Sequence, residues 1–324
     1  MKEPGTDWRE RIAPDEEAYF ARVAQVIAEF QRVKSAKYGT GRALHRKPLL
    51  ALDATLEVLP DLPAHARYGL FAAPGRHRAR LRLSNGGPDI QPNSRPDIRG
   101  FALKVFGVAG EGALGGTTDH QDFLMINQDR LTSPDSREFV AFVEAATHGM
   151  ARGILHLFTA YGLGGGWARL RTLFAILSKK FDSFANERFN TVSPHACGPY
   201  AARARLKPTG NPARREPSTD IVQDMRDRLA AGPVAWDLEL QFFVDEATTP
   251  IEDASKPWPD NATPIVTVAR LTVPQQSGDG LLAETEAARF DPWSGLLAHR
   301  PLGEVMRARK VAYFASQKGR GASA

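Results

Sequence analysis

The 324 residues, 42% hydrophobic and 24% charged, suffice for a folded core large enough to enclose a ligand. The 42 basic and 37 acidic side chains leave a net charge of +5, too thinly spread to mark a nucleic-acid-binding surface. One cysteine, Cys197, excludes an internal disulfide, a thiolate zinc site and an iron–sulfur cluster, and it fits a reducing compartment, so a cytoplasmic location is expected.

The N-terminus runs from Met1 into a stretch rich in Asp, Glu and Arg, without the apolar run of a secretory signal. Over 16–33 the residues Tyr19, Phe20, Val23, Val26, Ile27 and Phe30 recur at helical spacing and predict an amphipathic helix. Strand character follows at 50–58, 79–84, 100–108, 122–127, 200–206, 235–244 and 265–273, with Pro, Gly or Asn clusters between. Helical inserts are predicted at 137–180 and 220–231. The first approaches membrane-span length, but Gly164, Gly165, Gly166, Arg169 and Arg171 interrupt it, so no integral membrane segment is expected. Periodicity fails after Pro274 and returns at Leu302 in a helix to about Gly319. The pattern predicts an α+β fold: an antiparallel barrel of about eight strands with helical inserts and flanking N- and C-terminal helices.

Two signals are weak. Gly110-Glu111-Gly112-Ala113-Leu114-Gly115 has the letters of a dinucleotide fingerprint, but strand rather than helix follows, so a glycine-rich strand connection is expected. His195 and Cys197 stand close together without further ligands and read as structural.

The last helix carries Arg309, Tyr313, Ser316 and Arg320 at steps of four, three and four, which puts them on one face. A neighbouring guanidinium favours the phenolate of Tyr313, the form that ligates ferric iron. The same stripe also fits an exposed basic helix with a half-buried tyrosine, and spacing alone leaves both readings open. Near the other end, Arg42 and His45 precede the first strand, and Arg82 and Ser84 close the second. A neutral His45 facing a haem could move a proton between peroxide oxygens, with Ser84 fixing its tautomer, while Arg42, Arg82 and Arg320 suit carboxylates.

These residues, with several further segments, resemble the catalase family over most of the chain and in the same order. Arg42-x-x-His45 resembles the segment with a propionate arginine and the distal histidine. Leu81-Arg82-Leu83-Ser84 is similar to the family's Val-Arg-Phe-Ser, and Arg99-Gly100-Phe101-Ala102-Leu103-Lys104 to its Arg-Gly-Phe-Ala-x-Lys. Asp253-Ala254-Ser255-Lys256-Pro257-Trp258 resembles its Asp-x-Ser-x-x-Trp, and the stripe from Arg309 to Arg320 its proximal helix, with Ser316 in place of a threonine. The nearest version is the short, catalase-related peroxidase group, which ends soon after the proximal helix, so stored NADPH is not implied.

The resemblance implies a single haem-binding domain over 1–324: a distal segment at 1–48, a barrel at 49–275 with a helical insert at 134–190, and a proximal segment at 285–324. It implies haem b with Tyr313 as the iron ligand; Arg42, Arg82, Arg309, Ser316 and Arg320 as further cofactor-binding residues; and His45, Ser84 and His120 as catalytic residues. His120 falls where the family has its distal asparagine, Arg46-Lys47-Pro48 replaces Ala-Lys-Gly, and Leu44 is apolar where allene oxide synthase relatives have threonine. The implied activity is peroxidase above catalase, on hydrogen peroxide or organic hydroperoxides, with an unidentified electron donor. No nucleic-acid partner is expected, and a homo-oligomer is compatible with the sequence. Fatty-acid hydroperoxide rearrangement, non-catalytic haem binding and a haem-free barrel holding an apolar molecule are the alternatives.

Overall fold

The computed structural model describes residues 2–209 and 220–322. Residues 210–219, within the span expected for the barrel, and 323–324 lie outside them. Nine strands form one antiparallel sheet: β1 Pro48–Val58, β2 Gly75–Asn85, β3 Arg99–Glu111, β4 Thr117–Ile126, β5 Phe189–Asn190, β6 His195–Cys197, β7 Tyr200–Pro208, β8 Val234–Phe242 and β9 Ile265–Val273. The order is β5-β4-β3-β2-β1-β9-β8-β7-β6, and pairing of β5 with β7 closes eight of them into a barrel, leaving β6 as a hairpin arm on β7.

Alternation along each strand decides what faces inward. Leu52, Leu56, Leu81, Leu83, Phe101, Leu103, Phe123, Trp236, Leu238 and Leu271 are essentially buried and pack in one core. These side chains fill the interior, which leaves the outer face for polar chemistry. On β1 to β4, register aligns three outward rows: Ser84, Gly100 and Ile126; then Ala51, Arg82, Ala102 and Leu124; then Asp53, Arg80, Lys104 and Asp122.

Helices flank this wall: α1 Glu16–Tyr38, α2 Ser136–Ala146, α3 Met150–Leu177, α4 Ile221–Ala231, α5 Leu282–Ala287 and α6 Glu304–Gly319. The stripe predicted in α1 is real: Val23, Val26, Ile27 and Phe30 are buried and form a second core with Ala43, Val140 and Val143, against which Val311 and Ala312 pack. The helix runs five residues past the expected Val33 and stops at Gly39, whose positive φ of 80° no longer continues it. The 137–180 insert is two helices, broken at Gly149 and kinked at Gly162. The glycine-rich run is the β3–β4 hairpin, with Gly115 and Gly116 at positive φ in its turn. β5, β6 and α5 were not predicted: the strands are too short to show alternation, and α5 spans six residues.

Candidate functional site

The first group of site residues gathers on the outward row of Ser84 and Gly100. His45 lies just before β1 with φ at 50°, a left-handed backbone that a non-glycine residue adopts only when its surroundings hold it there. Two contacts do so: its N–H donates to the Gly86 carbonyl at 2.9 Å, and its carbonyl accepts from Arg82 Nη2 at 2.8 Å. The ring Nδ1 sits 3.1 Å from Ser84 Oγ and rests on Gly100, where a Cβ would meet both the imidazole and the serine oxygen. Burial, reinforced by the charges of Arg82, Arg309 and Arg42, pushes the His45 pKa down to about 3. The imidazole is therefore neutral across the working pH range.

Beside it three guanidiniums gather on Glu286 of α5, two on its carboxylate and one on its backbone carbonyl. Arg82 Nε and Nη2 reach it at 2.5 and 3.2 Å, and Arg42 Nη1 at 2.7 Å. Arg320 donates to the Glu286 carbonyl at 2.7 Å and the Ala288 carbonyl at 2.9 Å. Burial opposes ionisation of Glu286, but Arg82, Arg42 and Arg320 outweigh it and hold the carboxyl below its ordinary range. Burial, with Arg82 next in weight, drives Arg42 down to about 9. The cluster carries an excess of two positive charges, a demand for anionic ligand that Glu286 alone does not meet.

The third part comes from α6. Arg309 Nη2 donates to the Tyr313 hydroxyl oxygen at 3.0 Å, one helical turn away, with the guanidinium 5.2 Å from the ring centre. Ser316 ties this helix to the distal segment: its Oγ accepts from the Ala43 N–H at 3.4 Å, while Gln31 Nε2 bridges the Gly41 and Ser316 carbonyls. Arg307 anchors the helix start through Glu10, Glu16 and Glu252, and Gln317 donates to Asp291 at 2.7 Å. The Asp291 N–H in turn donates to Asp122, which is paired with Lys104 at 2.7 Å on the barrel wall. Helix α6 is thus tied through Asp291 to the row of Lys104 and Asp122, which neighbours the row that carries Arg82.

No protein-family model matches the chain, and no curated protein matches it. Solved structures do. A fungal catalase structure is 18% identical with a TM-score of 0.67, over 87% of this chain and 59% of its own length. The fold is catalase-like. Catalase A from Saccharomyces cerevisiae gives 16% identity and the same TM-score over 87% and 61% of the two chains, and a bacterial catalase 15% and 0.67 over 99% and 63%. The chain therefore spans about three fifths of the length of these catalases.

Within the catalase-like fold, the structure brings Arg42, His45, Arg82, Ser84 and Arg320 into one network, ties Ser316 to it, and sets the Arg309–Tyr313 pair on the helix that closes it. Arg309 is near enough for its charge to act on His45. His120 does not join. It lies opposite Phe106, six positions along β4 from Ile126, which is about 20 Å in extended chain. Its Nδ1 is 2.8 Å from the Asp119 carboxylate, with the buried Lys104–Asp122 pair between it and the cluster.

Two residues escaped the sequence reading. Glu286 sits in a stretch without periodicity, and only its place in the fold reveals its three arginine partners. His195, read as structural, is a buried imidazole whose two nitrogens find no hydrogen-bond partner among the described residues. Burial, then the charge of Arg309, pushes its pKa down to about 3. Cys197 is a buried thiol pushed up to about 12, consistent with a structural role.

Proposed function

We propose that this chain binds one haem b, whose iron Tyr313 would hold, and reduces hydrogen peroxide or organic hydroperoxides with electrons from an external donor. The residues fit the group. Arg42 and Arg82 share the Glu286 carboxylate while Arg320 holds its backbone carbonyl, and the excess of two charges in this cluster matches two propionates. The Arg309 guanidinium donates to the phenol oxygen of Tyr313, an oxygen of the type that ligates ferric iron. When bound, haem supplies the ferric centre at which a peroxide O–O bond is broken.

Neutral His45 takes the proton from one peroxide oxygen and returns it to the other, so that water or an alcohol leaves uncharged. Ser84 holds the ring and Gly100 gives it room. Arg309 holds the Tyr313 oxygen in place, and Arg42, Arg82 and Arg320 would hold the propionates. With His120 outside the cluster, His45 is the proton carrier, which favours peroxidase over full catalase turnover.

The observation that carries this reading is the half-buried, neutral His45 held on Ser84 within reach of the charge of Arg309, itself hydrogen-bonded to Tyr313. The test is haem titration of the parent, Tyr313→Phe and His45→Gln, followed by peroxide-dependent dye oxidation. The parent should bind one haem with a ferric high-spin spectrum. Tyr313→Phe should change that spectrum, and His45→Gln should keep it while losing about 100-fold or more in rate. An unchanged spectrum in Tyr313→Phe removes Tyr313 as the iron ligand.

A further inference from the structure

Helix α3 carries a large apolar surface outside the site already described. Leu163 is 77% exposed, Trp167 63%, Leu155 61%, Phe174 59% and Met150 55%. Leu163, Trp167 and Phe174 follow at steps of four and seven and so share a face of the helix. The inner stripe of Gly153, Leu157, Gly166 and Leu170 is buried, so the apolar sector is wider than its neighbours cover. An exposed cluster of this kind marks an interaction surface rather than a scatter of single residues.

Charge identifies the occupant. Between Met150 and Leu177 there is no Asp or Glu, while Arg152, Arg169 and Arg171 fall within the helix and Lys179 and Lys180 follow it. Arg169 is committed to Glu138 at 2.6 Å, Lys179 to Glu187 at 3.0 Å and Lys180 to Asp182 at 3.5 Å, while Arg152 and Arg171 are exposed. A second copy of the chain would set these cations against their own kind. An anionic bilayer offers hydrocarbon for the apolar face and phosphates for the cations around it.

Spanning is not the mode. Gly162, at φ 68°, breaks the helix into halves well short of the ~20 residues that a span needs. No helix among the described residues is long and apolar enough to cross a membrane. We infer that α3 rests in the interfacial layer of an anionic lipid bilayer, with Leu163, Trp167 and Phe174 inserted and Arg152 and Arg171 on the headgroups. The inference does not depend on haem.

The test is co-sedimentation of the full chain with vesicles of phosphatidylcholine alone, or of equal parts phosphatidylcholine and phosphatidylglycerol. The chain should pellet with the anionic vesicles, less so at high salt, and stay in solution with the neutral ones. Leu163→Ser, Trp167→Ser and Phe174→Ser together should weaken the partition about tenfold or more, and the exposure of all three sites leaves the barrel core untouched. As a second readout, the difference in emission between the parent and Trp167→Phe should shift to the blue when anionic vesicles are added. Absence of pelleting, equal pelleting by the triple variant, or an unshifted difference spectrum would each overturn the inference. So would a dimer in sedimentation equilibrium that the triple variant dissolves, since a second copy would then cover the face.

Discussion

At the scale of single residues, the site depends on where side chains are absent as much as where they are present. Gly100 lies under both His45 and Ser84, and a Cβ there would stand 2.6 Å from the serine oxygen and closer still to the imidazole. Gly100→Ala must therefore push His45 off Ser84. We expect about 1–3 kcal/mol of lost stability and a fall in peroxide turnover of about tenfold or more, with haem binding retained because Tyr313 and the arginines are untouched. Stopped-flow peroxide kinetics beside a urea titration would check it; turnover equal to the parent would show that the His45 position is not limiting. His45, Ser84, Arg42 and Arg82 were legible in the sequence because each sits in a short run whose neighbours are also diagnostic. His120 was placed by counting along a strand, and counting does not reveal that six extended residues carry a side chain away from its supposed partners.

At the scale of elements, α5 shows what pattern reading misses. Six residues give too little periodicity to predict a helix, yet α5 delivers the carboxylate on which the arginine cluster closes. The long strands and α1, α4 and α6 were legible because their apolar spacing persists over two turns or several pleats; β5 and β6 were not, because tertiary closure rather than local preference makes them strands. Glu286 explains how three guanidiniums stay together without haem. Glu286→Gln removes that partner and should destabilise the haem-free protein by about 2 kcal/mol, less than for a fully buried pair because the carboxylate is partly exposed. Haem should then raise the melting temperature of the variant by more than that of the parent, since its propionates would meet a larger cationic excess. Equal increments in calorimetry would mean that the propionates lie elsewhere.

At the scale of the whole molecule, three imidazoles, His195 and His299 buried and His45 half-buried, link folding to pH. His45 and His195 are pushed to about 3 and His299 to about 4, chiefly by burial. His299 is further committed as a base, since its Nε2 accepts from the Leu70 N–H at 3.0 Å. Each folded value lies below the ordinary 6.5, so below that pH the unfolded chain takes up protons that the folded chain refuses. Their contribution is unaffected above pH 6.5 and erodes as pH falls, until the folded values near 3 to 4 are reached. Asp97, Asp122, Asp291 and Glu304, all raised by burial, work in the opposite sense just above the ordinary carboxylate range and blunt the slope. A substitution isolates one histidine from that background. His195→Phe removes two unpartnered nitrogens and one proton site, so between pH 6 and 4.5 the unfolding free energy should fall less steeply by about 1.4 kcal/mol per pH unit. Urea titrations at half-unit steps would measure it. A slope identical to that of the parent would mean that His195 is protonated in the folded state, and that the protein interior tolerates a charge facing Arg309.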